Sequence, residues 1–134
     1  MKWFSIEELC RSKTAKELGI DNTPTPQAVD NMTRLINVVL DPLREAYGKP
    51  ITVSSGYRSP KLNSVTKGSS KTSQHMTGEA ADISVYNKEG NKWLFEYIRD
   101  HLPFDQLIDE YDYSWVHVSF DSDRCNRREI IHER

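Results

Sequence analysis

The segment Gln106-Leu107-Ile108-Asp109-Glu110-Tyr111-Asp112-Tyr113-Ser114-Trp115-Val116-His117-Val118-Ser119-Phe120 sets two short runs rich in apolar and β-branched residues on either side of a tight polar turn. Runs over Gln106 to Tyr111 and Trp115 to Phe120 with so short a connection predict an antiparallel hairpin. Two more strands are expected upstream, at Ile51-Thr52-Val53-Ser54 and over Ala80 to Val85. Before them the hydrophobic period is helical. Helices first and strands afterwards describe an α+β fold, with N-terminal helices packed on a small, mainly antiparallel sheet.

The helical half is punctuated by recognisable caps. Ser5 with Glu8 three residues on forms a capping-box pattern, and Ser12 to Leu18 reads as a second short helix ending at Gly19. Thr25 as N-cap and Pro26 in the first turn start the strongest helix, in which Ala28, Met32, Leu35, Ile36, Val39, Leu40 and Leu43 form one apolar stripe. Pro42 falls inside that stripe and is expected to kink or divide the helix near Leu40. A last helix is expected over Trp93 to Leu102, started by Asn91 and stopped by Pro103.

With 134 residues, no internal repeat and no linker-like stretch, the chain reads as a single domain over 1–134. At this length folding buries roughly two thirds of the unfolded chain's surface. Apolar residues make up 37% and charged ones 28%, and no apolar run is long enough to span a membrane. Eighteen basic against twenty acidic residues give a net charge of −2 with no basic stripe, which argues against nucleic acid as a partner. The opening residues lack the features of a secretory signal, so the chain as encoded is expected in the cytoplasm. Cys10 and Cys125 are far apart in sequence and read as two ordinary thiols; their pairing does not follow from sequence.

Histidine placement suggests chemistry. His75 lies in a polar loop, Ser73-Gln74-His75-Met76-Thr77-Gly78-Glu79, that runs into the apolar strand containing Asp82, and His117 lies mid-strand in Trp115-Val116-His117-Val118-Ser119. Two imidazoles and a carboxylate form a three-ligand set suited to a catalytic zinc with one position left open. The same trio fits the iron site of oxygenases, and each residue also has an ordinary structural reading. Gly78 is expected to allow a backbone turn between the two ligands that a side chain would obstruct.

Three ordered motifs, Ser54-Ser55-Gly56-Tyr57-Arg58-Ser59-Pro60, Ser73 to Ile83 and Trp115 to Ser119, closely resemble the M15 family of zinc peptidases. The likeness is strongest to its small D-Ala-D-Ala carboxypeptidase-like members, some of them phage-encoded. It extends through the opening segment and Asn31 to Arg44, and so over nearly the whole chain. The resemblance implies the α+β fold shared with the hedgehog signalling domain, one zinc per chain held by His75, Asp82 and His117, and hydrolysis of bonds in peptidoglycan stem peptides as a carboxypeptidase or endopeptidase. Such an enzyme would reach the cell wall on release or export, as phage members do in lysis.

The family pattern is broken at one position. Many members carry an acidic residue three positions before the last histidine, where this chain has Ser114. Glu110 matches a Glu on the preceding strand of small members and is the expected proton-transfer base, although a one-residue register change would present Asp109 instead. Arg58 is expected to bind a substrate carboxylate or steady the developing oxyanion, and Ser73, ahead of Gln74, to contact substrate. The departure at Ser114 also leaves open a different class of function, a non-catalytic zinc-stabilised module that binds cell wall. His101 and His132 lie outside the motifs and are expected to be structural or surface residues.

Overall fold

The computed structural model describes residues 1–121 and 126–133. The expected caps are in place. Ser5 accepts the Glu8 N–H to start α1, Ile6–Cys10, and Ser12 accepts the Ala15 N–H to start α2, Lys13–Leu18, which ends on a left-handed Gly19. Thr25 Oγ1 accepts the Ala28 N–H at 3.1 Å ahead of α3, Pro26–Leu35.

Pro42 has no N–H to offer the carbonyl four residues back, and its ring would press on that carbonyl. The chain responds by widening one turn. Over Ile36–Leu40 it is a π-helix in which the Asp41 N–H reaches back to the Ile36 carbonyl, and it resumes as α4, Asp41–Tyr47. The apolar stripe therefore stays continuous past the proline, and all seven of its expected members are at most 1% exposed. Full burial of each large aliphatic side chain contributes about 1.5–3 kcal/mol.

The sheet follows. Strand β1, Thr52–Ser55, leads to a short helix α5, Pro60–Val65, then to a 3-10 turn over Gln74–Thr77 and strand β2, Ala80–Ser84. Helix α6, Lys88–His101, precedes β3, Gln106–Glu110, β4, Trp115–Ser119, and β5, Glu129–Glu133. The spatial order is β1-β2-β4-β3-β5, antiparallel throughout except for the parallel pair β3–β5.

Two expectations need correction. Helix α6 begins a turn earlier than Asn91, because Asn87 is the residue whose side chain caps it, by accepting the Gly90 N–H. Asn91 is buried within the helix, and its amide holds Val85, Ser84, Tyr113 and Ser114. Strand β5 was not expected, since Glu129-Ile130-Ile131-His132-Glu133 is an edge strand with little apolar alternation; it makes the sheet mixed.

Strand alternation gives the sheet two unlike faces. Ala81, Ile83, Leu107, Val116 and Val118 join Leu35, Val39, Leu94, Phe95 and Ile98 in the hydrophobic core. The opposite face carries Asp82, His117 and Glu110.

Candidate metal centre

The pairing register brings the expected site residues together. Asp82 lies directly opposite His117 across β2 and β4, and Ile108 lies opposite His117 across β3 and β4, so Glu110 is one step along the same face, opposite Trp115. His75 reaches this face from the 3-10 turn. Its orientation is fixed by Gly56, whose carbonyl oxygen is 2.7 Å from Nδ1. A carbonyl only accepts, so Nδ1 carries the proton and Nε2 keeps its lone pair.

That nitrogen lies 3.4 Å from Asp82 Oδ1, and His117 Nδ1 lies 2.9 Å from the same oxygen. One ligand atom from each residue falls within 4.8 Å of the others. Tetrahedral zinc with bonds of about 2.0–2.1 Å sets neighbouring donors about 3.3 Å apart, so the spacing, the donor types and the His75 tautomer all fit such an ion. Burial raises the proton affinity of Asp82, but the two imidazoles beside it, His75 first and then His117, outweigh that effect and hold the carboxyl well below the usual range.

Two glycines allow this approach. A Cβ on Gly56 would collide with the Leu9 backbone, where the Tyr57 N–H donates to the Leu9 carbonyl at 2.8 Å. Gly78, at φ 78°, ends the 3-10 turn, and a Cβ there would lie 2.5 Å from the Ala28 carbonyl oxygen. The turn between His75 and Asp82 is thus both left-handed and tightly covered.

Asp109 and Glu110 have separate tasks. Asp109 is fully buried on the helix side, accepting the Tyr113 N–H at 2.6 Å and facing His132 Nδ1 at 3.0 Å. It braces a turn in which Tyr111, Asp112 and Tyr113 all have positive φ, a costly conformation for residues with side chains. Asn91 holds the far side of that turn through the Tyr113 and Ser114 carbonyls. Glu110 faces the cleft, and burial, with the charge of Asp82 adding to it, raises its pKa.

A cleft of about 640 Å³ opens over these residues and is also lined by Arg58, Ser73, Gln74, Trp115 and Arg127. Ser73 Oγ accepts the His75 N–H at 3.1 Å and an Arg58 Nη2 N–H at 3.3 Å, so it both shapes the turn and steers the guanidinium. Arg58 makes no ion pair among the described residues. Its Nε, Gln74 Oε1 and the Trp115 indole nitrogen are buried without a hydrogen-bond partner among the described residues. Such groups in a native fold call for an explanation, and a ligand-binding cleft supplies one.

A family model described as Peptidase M15 matches residues 2–119, which include every strand of this face except β5. The chain belongs to the peptidase M15 family. M15 peptidases are zinc-dependent, and the His75, Asp82 and His117 group of this M15 chain could bind a metal. Comparison with curated proteins gives no match.

Other expectations are settled by position. His101 packs on Tyr97, and His132 joins Asp109 on the face away from the cleft. Cys10 has no disulfide partner among the described residues and lies 3.9 Å from Met32 Sδ, while Cys125 lies outside the described residues. Asp105, Gln106 and Arg127 escaped sequence reasoning because no motif marks them. Asp105 is fully buried and accepts hydrogen bonds from Arg127 and Gln74, tying the residue before His75 to the chain ahead of β5.

Proposed function

We propose that this M15 chain is a zinc peptidase of peptidoglycan stem peptides, acting next to D-alanine as a carboxypeptidase or endopeptidase. The observation that carries the reading is the convergence of His75 Nε2, Asp82 Oδ1 and His117 Nδ1 on a sheet face that also presents Glu110 to an open cleft. These three would hold one zinc per chain. When bound, zinc supplies the Lewis acidity that makes water nucleophilic near neutral pH and polarises the scissile carbonyl.

Glu110 takes the proton from the attacking water and delivers it to the departing amine. Its raised pKa suits both halves of that task, since a stronger base accepts more readily and the resulting acid is available as the C–N bond breaks. Arg58 binds a substrate carboxylate or steadies the oxyanion, oriented by Ser73, which forms part of the substrate wall. Gly56 keeps the His75 imidazole in place. A chain made in the cytoplasm would meet this substrate after lysis or export, in keeping with a phage role.

One observation favours a second reading. Ser114 stands where many members carry the acid, and its Oγ donates to the Tyr111 carbonyl at 2.7 Å inside the turn. On this reading the chain is a zinc-stabilised wall-binding module. Glu110→Gln separates the two: for an enzyme it retains zinc, measured by metal analysis, and loses cleavage of stem peptides, whereas a module shows no cleavage in the unsubstituted protein.

A further inference from the structure

Arg127 stands ahead of β5, outside the residues matched by the family model, yet it lines the same cleft as Glu110, His117 and Arg58. One edge of its fork is already used. Nε donates to Asp105 Oδ1 at 3.1 Å and Nη2 to Oδ2 at 2.9 Å, and the Arg127 backbone N–H donates to Oδ1 at 2.9 Å. Asp105 is itself fully buried, so this pairing fixes the guanidinium from beneath.

A guanidinium has five N–H donors, and a bidentate pair through Nε and Nη2 consumes two. Both donors on Nη1 and the second on Nη2 remain, and together they form the outer edge of the fork. Glu129 Oε1 is 3.9 Å from Nη1, beyond hydrogen-bond distance, and it already accepts from Gln106 Nε2 at 2.6 Å. The Arg127 side chain is 52% exposed although its inner edge is sealed. The outer edge is therefore pre-oriented, and no described residue hydrogen-bonds to it.

Arg58 follows β1 and Arg127 precedes β5, the two outer strands of the sheet. Four strand intervals of about 4.8 Å separate those edges. The two guanidinium groups therefore reach the cleft from opposite sides and suit different groups of one ligand.

We propose that Arg127 is a specificity-determining residue that binds a second carboxylate of the peptide, one remote from the scissile bond, through its outer edge. The chain is then selective for acidic peptides carrying a free side-chain or branch carboxylate. This rests on the peptidase reading of the cleft.

The test uses two synthetic stem peptides identical except that one dicarboxylic residue away from the scissile bond carries a free carboxylate in the first and a carboxamide in the second. The zinc-loaded protein is expected to favour the acid by about 10- to 100-fold in kcat/KM, the scale of a charge-assisted hydrogen-bonded pair. Arg127→Ala should abolish the preference, slowing cleavage of the acid about 10- to 100-fold more than that of the amide, and Arg127→Lys should recover only part of the preference. Equal cleavage of the two peptides by the unsubstituted protein, or equal slowing of both by Arg127→Ala, would overturn the proposal and make Arg127 a structural partner of Asp105.

If the zinc-loaded protein cleaves neither peptide, the peptidase reading fails separately. Titration of the intrinsic tryptophan fluorescence with the same two peptides then decides the matter: tighter binding of the acid supports the assignment, and equal binding overturns it. The same titration of the unsubstituted protein serves if Arg127→Ala does not fold.

Discussion

The carbonyl oxygen of Gly56 lies 2.7 Å from Nδ1 of His75. Because Gly56 is pressed against the Leu9 backbone, with no room for a Cβ, the position of this acceptor is set by the packing of α1 against the end of β1. Gly56→Ala must push the two segments apart. We expect it to cost about 1–3 kcal/mol of stability and to weaken zinc binding by about 10- to 100-fold, as losses of ligand-orienting contacts do. Thermal unfolding and competitive zinc titration measure the two effects.

Neighbouring carboxylates should respond in opposite ways. Glu110→Gln is expected to leave the melting temperature near that of the unsubstituted protein and to lower kcat by about 100- to 10,000-fold, the usual worth of a positioned acid–base group. Asp109→Ala removes the acceptor that braces the strained β3–β4 turn and should cost about 1–3 kcal/mol in stability, read by denaturant unfolding. If Asp109→Asn rather than Glu110→Gln abolished turnover in folded protein, the base assignment would be wrong.

Asp105 gives a pH-dependent signature. Hydrogen bonds from Arg127 hold its carboxyl below the usual range despite its burial. A group whose folded-state pKa is depressed stabilises the fold fully above its unfolded value, about 3.9, and loses that contribution as pH falls through the folded-state value. The difference in melting temperature between the unsubstituted protein and Asp105→Asn should therefore be largest near neutrality and shrink below about pH 4. A difference that stayed constant down to pH 2.5 would contradict the ionic pairing.

Asn91 connects α6 to the turn that follows Glu110, through the Tyr113 and Ser114 carbonyls. Asn91→Ala takes the donor from both carbonyls and the acceptor from the Val85 N–H, and is expected to cost about 1–3 kcal/mol. Because the turn also sets where Glu110 stands, kcat should fall while zinc affinity holds. Metal titration beside steady-state kinetics checks that split.

Much of this arrangement was legible in the sequence because it rests on local rules. Thr25 and Pro26 announced α3, the apolar stripe announced the buried helix face, and Trp115 to Ser119 announced the strand that carries His117. The motifs around Arg58, His75 and His117 carried the resemblance that the family match bears out. What stayed hidden depends on contacts between distant segments. The choice between Glu110 and Asp109 needed the pairing of β3 with β4, since one residue of slip exchanges their faces. Strand β5 owes its existence to the edge of β3, and Asp105 and Arg127 become a pair only when that strand docks. Asn91 looked like a cap because Asn favours helix starts, whereas Asn87 had the better geometry and Asn91 was left for the turn.

The central claim is tested most directly by incubating purified stem peptides with the protein, after chelation and again after zinc is restored, and following the products by mass spectrometry. Cleavage that disappears with the metal and returns with zinc is the predicted result, and the product masses identify the bond. No cleavage of any stem peptide by fully zinc-loaded protein would contradict the account and favour a wall-binding module.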